Sequence, residues 1–457
     1  MRIPQKPPDL GPFKSVQVMK DGQVLLGPPD FSEPTLREIR IGASPPIVDG
    51  EYLHWDDLLH REPPNGIRHE DWWNVLKHRR RAMYSKVPLE DKQGLPFVFC
   101  VFDSILKSLH ELDRQAAGRI EAPDPIANPN VQDRYYVSSL IDEAITSSQL
   151  EGAATTRRVA REMIRQGRPP RDRSERMILN NYEAMREISR FKDKPLTPQI
   201  VLKLHRILTA ETLKNPDAAG RLRTAEESDE RFGVWDDRDR LLHAPPPAEE
   251  LPARLKAMCD FANDALASRF VHPVLRSIVL HFWLAYDHPF KDGNGRTARA
   301  LFYWSMLRHG YWLCEFISIS HIIRGAPGKY YRAFLFTETD DNDLTYFILY
   351  HLDIIRKAIE QLYDYIKKKM SDLRSLEREL RGVQKLNHRQ RAIISHALRH
   401  SDARYTIESH RASHDVVYET ARTDLHDLVS RGLLRSRKSG KTWMFFPVPD
   451  IGEKLRA

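Results

Sequence analysis

The chain has 457 residues and a formal net charge of +8. This length is too great for one compact domain and, at about 150 residues per domain, predicts roughly three structural units. The composition is 41% hydrophobic and 29% charged, which is ordinary for a soluble globular protein and argues against a disordered, collagen-like or disulfide-stabilised chain. The modest positive charge permits contact with nucleic acid but does not require it.

The cysteines and the N-terminus predict a cytoplasmic protein. Cys100, Cys259 and Cys314 are far apart and form no C-x-x-C pair, so we expect buried thiols in a reducing compartment rather than metal ligands. No apolar signal segment follows Met1. The longest apolar run, residues 277–286, is broken by His281 and is well short of the roughly 20 residues that a membrane span needs, so we expect no membrane partner.

Four segments follow one another along the chain. Residues 1–94 combine many prolines with an aromatic patch and a strand-like stretch at 15–26, which indicates an irregular N-terminal extension packed on a larger unit. Residues 95–370 place apolar side chains at helical spacing and predict a mainly α core. The charged stretch 371–385 is predicted to be a linker that could continue the preceding helix, and residues 386–457 a separate unit.

A helix predicted over about 134–152 ends in the sequence Ser147-Ser-Gln-Leu-Glu151-Gly152. Ser147 and Glu151 are four residues apart and share one helix face, and Gly152 suits the left-handed position that follows a helix. A carboxylate at a helix C-terminus is electrostatically unfavourable unless it meets a cation. On its own, this pattern is more simply explained by a solvated glutamate beside a helix stop.

A small β-hairpin is predicted over about 232–244, inside the helical core. Two short apolar runs flank an Asp-rich turn in this segment, and Pro245, Pro246 and Pro247 end it. Without further evidence this is a surface hairpin that needs no partner.

The loop His288-Pro-Phe-Lys-Asp292-Gly-Asn-Gly-Arg-Thr-Ala-Arg299 joins a helix predicted at 276–286 to one predicted at 297–308. Gly293 and Gly295 allow positive φ and a close backbone approach. Exposed backbone N–H groups at the start of a helix then make an anion site.

The charged side chains of this loop suit a polyphosphate. Arg296 and Arg299 share a helix face and can clamp a di- or triphosphate. Asp292 is a single hard carboxylate, which suffices for Mg²⁺ held mainly by phosphates and water. His288 can take a proton from an attacking hydroxyl. Each feature is common in turns, but the combination within twelve residues predicts displacement at a nucleotide phosphorus, without saying which one.

This loop resembles the motif H-P-F-x-D-G-N-G-R-x-x-R of the Fic-domain family at every defined position, and the resemblance extends from about residue 137 to residue 354. It implies a Fic-type helical core that transfers AMP from ATP to a Ser, Thr or Tyr hydroxyl of a target protein, self-modification included. The kinase-like branch of the family has lysine at the position of Gly295, so the glycine favours adenylyl transfer. Transfer of another phosphate-containing group, such as phosphocholine, and removal of AMP remain open.

The resemblance also implies a role for each residue of the loop. His288 would be the base and Asp292 the Mg²⁺ ligand. The anion hole for the α- and β-phosphates would be formed by Gly293, Asn294 and Gly295. The β- and γ-phosphates would be held by Arg296 and Arg299. The adenine side would be formed by Tyr331 with its neighbour Tyr330.

The same resemblance implies a function for two further elements. The hairpin, about Val234–His243, would be a flap that docks a target segment by strand addition. The sequence around Ser147, Glu151 and Gly152 resembles the inhibitory motif [S/T]-x-x-x-E-[G/N] of the family. In that interpretation Glu151 pairs with Arg299 within one chain and blocks productive binding of the γ-phosphate.

Residues 386–457 predict a winged helix-turn-helix: helices at 388–399 (capped by Asn387), 406–412 and 415–431, a stop at Gly432, and a two-stranded wing at 433–448. Leu425 and Leu428 would be core, and basic wing residues would contact DNA phosphates. The alternative is a protein contact or a homodimer. The second hypothesis is therefore a DNA-binding regulator that uses the Fic core as a nucleotide sensor. The candidate groove-facing residues are Tyr418, Thr420, Arg422 and Thr423, and the candidate wing residues are Arg435, Arg437, Lys438 and Lys441.

Overall fold

A computed structural model describes residues 3–9, 15–18, 24–27, 46–64, 68–117, 129–227, 232–236, 238–265, 270–382, 386–399, 403–439 and 442–455. The chain divides into two units, residues 1–362 and residues 363–457. Helices predominate among the described residues, which confirms the prediction of a mainly α protein.

Among its described residues, the first unit combines helices with three antiparallel hairpins, β1–β2, β3–β4 and β5–β6. Its strands are β1 Ser15–Val18, β2 Val24–Gly27, β3 Ser85–Glu90, β4 Pro96–Phe99, β5 Val234–Trp235 and β6 Leu241–His243. Its helices are α1 Trp55–Leu58, α2 His69–Met83, α3 Asp103–Leu112, α4 Pro129–Leu150, α5 Arg157–Gln166, α6 Arg173–Phe191, α7 Pro198–Thr209, α8 Leu251–Ala262, α9 Pro273–Asp287, α10 Asn294–Arg308, α11 Ile319–Gly325, α12 Pro327–Thr339 and the start of α13 Thr345–Gly382.

The centre of this unit is the pair of helices α9 and α10. Nearly every side chain of both is buried, including the fully buried Trp283 and Trp304. A helix that is apolar on all sides is stable only when other elements surround it. The surrounding elements fix α9 and α10 in this way, and the two helices in turn hold both ends of the 288–293 loop. The second helix begins at Asn294 with Gly293 as its N-cap, three residues before the predicted start at Thr297.

Described residues of the N-terminal segment pack on the rest of this unit through buried polar contacts. The Tyr52 hydroxyl donates to Asp343 Oδ2 at 2.6 Å, and the Lys77 ammonium pairs with Asp340 Oδ1 at 2.6 Å, both inside the protein. The Arg80 guanidinium lies 3.7 Å from the centre of the Tyr52 ring. Since unpaired buried charges are costly, these partners fix the extension against the loop that precedes α13.

The second unit contains α14 His388–Arg399, β7 Tyr405–Thr406, α15 Ile407–His414, α16 Tyr418–Ser430, β8 Leu434–Ser439, β9 Thr442–Pro447 and α17 Ile451–Lys454. The stretch predicted as a linker is helical as far as Gly382, where α13 ends, and residues 383–385 lie outside the described residues. The strands form one sheet in the order β7-β9-β8, so the predicted pair of strands is joined by a third strand that the sequence pattern did not indicate.

Leu425 and Leu428 are fully buried, as predicted, and pack with Phe445. Helix α16 begins at Tyr418 rather than at Asp415, because Asp415 takes the left-handed conformation (φ 50°) that ends α15. The winged-helix assignment and its contact with DNA stay predictions. Tyr418, Arg422, Thr423, Arg435, Arg437 and Lys438 are exposed, Thr420 is half-buried, and Lys441 lies outside the described residues.

All three cysteines are buried free thiols. Within the described ranges, no helix combines the length and the apolar character that crossing a bilayer would require.

Candidate active site

The site begins where α9 ends, because His288 adopts a left-handed backbone conformation (φ 45°, ψ 53°) that stops the helix. Its N–H donates to the Leu284 carbonyl at 3.0 Å. The buried Arg223 fixes the following turn, since its Nε donates to the His288 carbonyl at 3.0 Å and its backbone N–H to the Pro289 carbonyl at 2.9 Å. A non-glycine residue with positive φ is strained, and these bonds hold it there.

The His288 ring is held in the form that a base requires. Its Nδ1 lies 3.3 Å from the Ala285 carbonyl, which can only accept, so we assign the ring proton to Nδ1 and leave Nε2 unprotonated. Burial, and secondarily the neighbouring His243, lower the pKa of His288 to about 4. The imidazole is therefore neutral at pH 7. The Phe232 ring stands edge-on to it, with centroids 5.7 Å apart.

The loop after His288 is braced from inside. Asn294 Nδ2 donates to the Phe290 carbonyl at 2.7 Å, and the Phe290 N–H donates to Asn294 Oδ1 at 2.9 Å. The buried Phe290 ring stacks on His205 at 3.7 Å, and His205 Nε2 contacts the Asp292 carbonyl at 2.9 Å. Because both polar atoms of the Asn294 side chain are engaged in this way, Asn294 offers a ligand its backbone N–H.

Gly293 and Gly295 leave space that no other residue would leave. Gly293 has φ +88°, and a Cβ placed on it would lie 2.7 Å from Thr209 Cγ2. A Cβ on Gly295 would collide with Glu151 Oε1 and lie 3.1 Å from Arg299 Nη1. The void above Gly295, at the first turn of α10, is thus filled by the Glu151 carboxylate.

Glu151 is delivered to this void by the end of α4. Gly152 (φ +89°) follows the helix, its N–H donates to the Gln149 carbonyl at 3.2 Å, and the Ala153 N–H donates to the Ser148 carbonyl at 3.0 Å. These are the two bonds of a Schellman ending, which confirms the prediction of a helix stop at Gly152.

The buried Arg299 joins the end of α4 to α10. Its Nη2 donates to Glu151 Oε1 at 2.8 Å and to the Ser147 carbonyl at 3.0 Å, and its Nε donates to Ser147 Oγ at 2.8 Å. The Glu151 side chain remains 28% exposed. The Ser147, Glu151 and Arg299 contact predicted from the motif is therefore present in one chain.

Arg296 and Asp292 lie beside the void rather than in it. Arg296 is fully buried, with Nη1 on the Leu208 carbonyl at 2.8 Å and Nη2 3.4 Å from Asp292 Oδ1, and burial lowers the pKa of its guanidinium. A direct contact of Arg296 with phosphate stays a prediction. The Asp292 side chain is 42% exposed and faces Arg173 Nη2 at 3.3 Å. A single accessible carboxylate fits Mg²⁺ that takes its other ligands from phosphates and water.

A cavity of about 190 Å³ opens above these residues. Glu151, His288, Gly295 and Arg299 line its polar end. Its other wall is largely apolar and is formed by Val234, Leu242, Tyr330, Tyr331, Phe334 and Leu335. Such a wall, with a polar end, suits an aromatic base attached to charged groups. Asp292, Gly293 and Arg296 are not among the described residues that line the cavity.

The hairpin is anchored to the cavity by His243, which sequence reasoning missed. His243 Nε2 contacts the Tyr286 carbonyl at 2.6 Å and Nδ1 contacts Glu338 at 2.7 Å. Both ring nitrogens of His243 therefore face hydrogen-bond acceptors, and these two contacts tie the hairpin to α9 and α12. No local pattern signals His243, Arg223 or Glu338, since each acts through contacts distant in sequence.

Comparison with known proteins confirms the resemblance to the Fic-domain family. Residues 195–306 match the model of the Fic/DOC family, a range that includes the whole 288–299 loop but not Glu151. The chain is 27% identical over 243 residues to Protein adenylyltransferase Fic of Nematostella vectensis, which is 52% of this chain and 49% of that protein. It is 26% identical over 221 residues to Protein adenylyltransferase fic-1 of Caenorhabditis elegans, which is 47% of this chain and 40% of that protein.

The fold has a solved counterpart. A Fic family protein from Desulfovibrio desulfuricans G20 superposes with a TM-score of 0.50 at 16% identity, over 76% of this chain and 95% of that one. The chain spans about half or less of the length of the two curated relatives that it matches.

Proposed function

We propose that this chain, which carries a Fic/DOC family domain at residues 195–306, transfers AMP from ATP to a Ser, Thr or Tyr hydroxyl of a target protein and is autoinhibited by Glu151. One observation carries the proposal. A neutral imidazole, an anion-binding helix start and a buried arginine line one cavity, and the anion position is filled by a carboxylate of the same chain.

The nucleotide would bind with its phosphates at the start of α10. The unpaired backbone N–H groups of a helix start favour negative charge, as does the helix dipole, so the first turn of α10 would stabilise a phosphate in the Gly295 void. Arg299 would exchange Glu151 for the γ-phosphate, since both are anions that a guanidinium can bind. The base would lie against Tyr331, Phe334 and Leu335.

In the transfer step the target oxygen attacks the α-phosphorus, and the bond from that phosphorus to the oxygen shared with the β-phosphate breaks. The hydroxyl proton passes to His288 Nε2, and the products are an AMP ester and pyrophosphate. Asp292 would hold Mg²⁺, which when bound supplies positive charge beside the phosphates. His288 begins the step neutral, so it can accept the proton directly.

The flap formed by β5 and β6 is the proposed dock for the target. Trp235 and Leu241 expose 41% and 44% of their surface, while Val234 and Leu242 line the cavity. A short edge strand can bind an extended segment by main-chain hydrogen bonds without a sequence-specific pocket. Through His243, the same hairpin is tied to Tyr286, two residues before His288.

We expect Asp292→Asn to weaken the dependence on Mg²⁺. The amide keeps the shape of the side chain but loses the charge that a hard cation prefers, so AMP transfer at limiting Mg²⁺ should fall by about 10- to 100-fold. Transfer of labelled AMP, measured against Mg²⁺ concentration, checks this. Asp193→Asn, an exposed change on the same unit, is the control, and an unchanged Mg²⁺ curve for Asp292→Asn would remove Asp292 as the ligand.

The pH dependence of transfer should reflect the lowered pKa of His288. The base acts in its neutral form, which predominates above a pKa of about 4, so the rate should stay level between pH 8 and pH 6 and fall only as the pH approaches that value. An imidazole with an ordinary pKa of about 6.5 would lose half of the rate at pH 6.5. Single-turnover transfer by the Glu151→Gly variant decides between the two profiles.

A further inference from the structure

We propose that helix α5, directly after the inhibitory glutamate, is a docking surface for an acidic polypeptide segment, and that docking draws Glu151 out of the Gly295 void. The second half of this inference rests on the proposed function, and the first half does not. Helix α5 spans Arg157–Gln166 and begins six residues after Glu151.

The charge of this segment is unusual for the chain. Between Arg157 and Arg176 the sequence contains eight arginines and no lysine, against three acidic residues. The whole chain, by contrast, has 71 basic against 63 acidic residues. Arginine presents a planar fork of donors that matches carboxylate geometry, which lysine does not.

Two of these arginines share one partner. Arg161 Nη2 lies 2.7 Å from Asp142 Oδ1 and 3.0 Å from Oδ2, and Arg157 Nε lies 3.1 Å from Asp142 Oδ1. Arg158 is exposed and has no ion-pair partner among the residues that the structure describes. Asp142 therefore pairs with two of the three guanidinium groups and, within the described part of the chain, leaves the third without an ion pair. Arg157, Arg158 and Arg161 line an open cleft together with Glu162 and Gln166.

The groups already bound to these arginines indicate which chemical class of ligand the cleft would bind. Asp142 bridges two of them, and further along the segment Glu175 binds both ends of the Arg168 guanidinium at 2.7 Å. In each case the partner is a side-chain carboxylate in a forked contact. An acidic polypeptide offers several such groups at once and would replace Asp142 while also neutralising Arg158.

The contacts of Asp142 connect this cleft to the inhibitory contact. Asp142 lies on α4, the helix that ends at Leu150 just before Glu151. Helix α5 packs on α4 through Ala160 and Met163, and Gln149 Nε2 donates to the Thr155 carbonyl at 2.9 Å. A partner that pulls Arg157 and Arg161 away from Asp142 therefore disturbs both α4, which precedes Glu151 in the chain, and α5, which follows it. The two binding events are coupled, so each changes the affinity for the other.

Binding is tested first, with the full chain and a fluorescent peptide of twenty glutamates. Fluorescence anisotropy should show salt-sensitive binding to the natural chain, weakened at least about fivefold in Arg158→Glu. Lys107→Glu, an exposed charge reversal on α3, is the matched control and should bind like the natural chain. Absence of binding, or equal binding by Arg158→Glu, would overturn the docking surface, as would tighter Arg158-dependent binding of a DNA duplex than of the peptide.

Activity is tested next, with the same peptide. Transfer of labelled AMP by the natural chain should rise about fivefold or more, Arg158→Glu should keep its basal rate without that rise, and Glu151→Gly should not respond. If Glu151→Gly is active but the peptide leaves the natural chain unchanged, release of the glutamate by docking is wrong. If no variant transfers AMP while the peptide still binds through Arg158, the proposed function fails and the docking surface stands.

Discussion

The Glu151→Gly variant should transfer AMP at least about tenfold faster than the natural chain. Glu151 Oε1 occupies the space above Gly295 and takes a donor of Arg299, so it would compete with a bound phosphate for both. Removing the carboxylate frees the void and the guanidinium together, and a tenfold gain corresponds to about 1.4 kcal/mol. Incorporation of label from ATP and Mg²⁺ into the protein itself measures the effect.

Two further variants test whether the gain in rate depends on the carboxylate of Glu151. Glu151→Gln keeps the size of the side chain but not its charge, and we expect an intermediate rate because the amide binds Arg299 more weakly. Glu183→Gln removes an exposed glutamate from α6 and should leave the rate unchanged. A Glu151→Gly protein that melts at the natural temperature and transfers no more AMP would show that the contact with Arg299 is structural only.

His288→Ala should abolish transfer while ATP still binds. General-base catalysis is worth about 10²- to 10⁴-fold. Apart from His288, the described cavity residues that could accept the proton are Glu151, Glu338 and His243, and both ring nitrogens of His243 are already engaged by Tyr286 and Glu338. We therefore place the variant in the Glu151→Gly background, where the loss is measured from a high rate. In the proposed function, backbone N–H groups and Arg299 hold the nucleotide and His288 does not, so the dissociation constant for ATP should change by less than about threefold.

The backbone at this position makes a second comparison informative. His288 has positive φ, which asparagine tolerates better than alanine does. His288→Asn should therefore preserve stability more fully and be equally inactive. Transfer that persists in both variants, at a rate close to that of the parent, would exclude His288 as the base.

Local patterns were enough to predict the parts of the site that are continuous in sequence. The glycines at 293 and 295 and the turn after Leu150 depend on backbone conformation, which neighbouring residues determine. The contact between Glu151 and Arg299 joins residues 148 positions apart, and it was predicted only because both motifs resemble those of one family.

Contacts without a local signal could not be predicted in this way. Arg223, His205 and His243 hold the loop and the flap through backbone carbonyls far away in the chain, and carbonyl acceptors leave no trace in the sequence. The start of α10 was placed three residues late because Gly293 serves as N-cap, a position at which serine, threonine or aspartate is usual. The third strand of the second unit, β7, has only two residues and no periodicity.

The most direct test concerns the space above Gly295, measured as AMP incorporated per chain by intact-mass spectrometry after incubation with ATP and Mg²⁺. Glu151→Gly should acquire AMP on a Ser, Thr or Tyr side chain, and the double variant Glu151→Gly/Gly295→Ala should lose that gain, because the added methyl group fills the volume that phosphate needs. If the double variant, folded and equally stable, is modified as readily as Glu151→Gly, nucleotide does not use this void and the account is wrong.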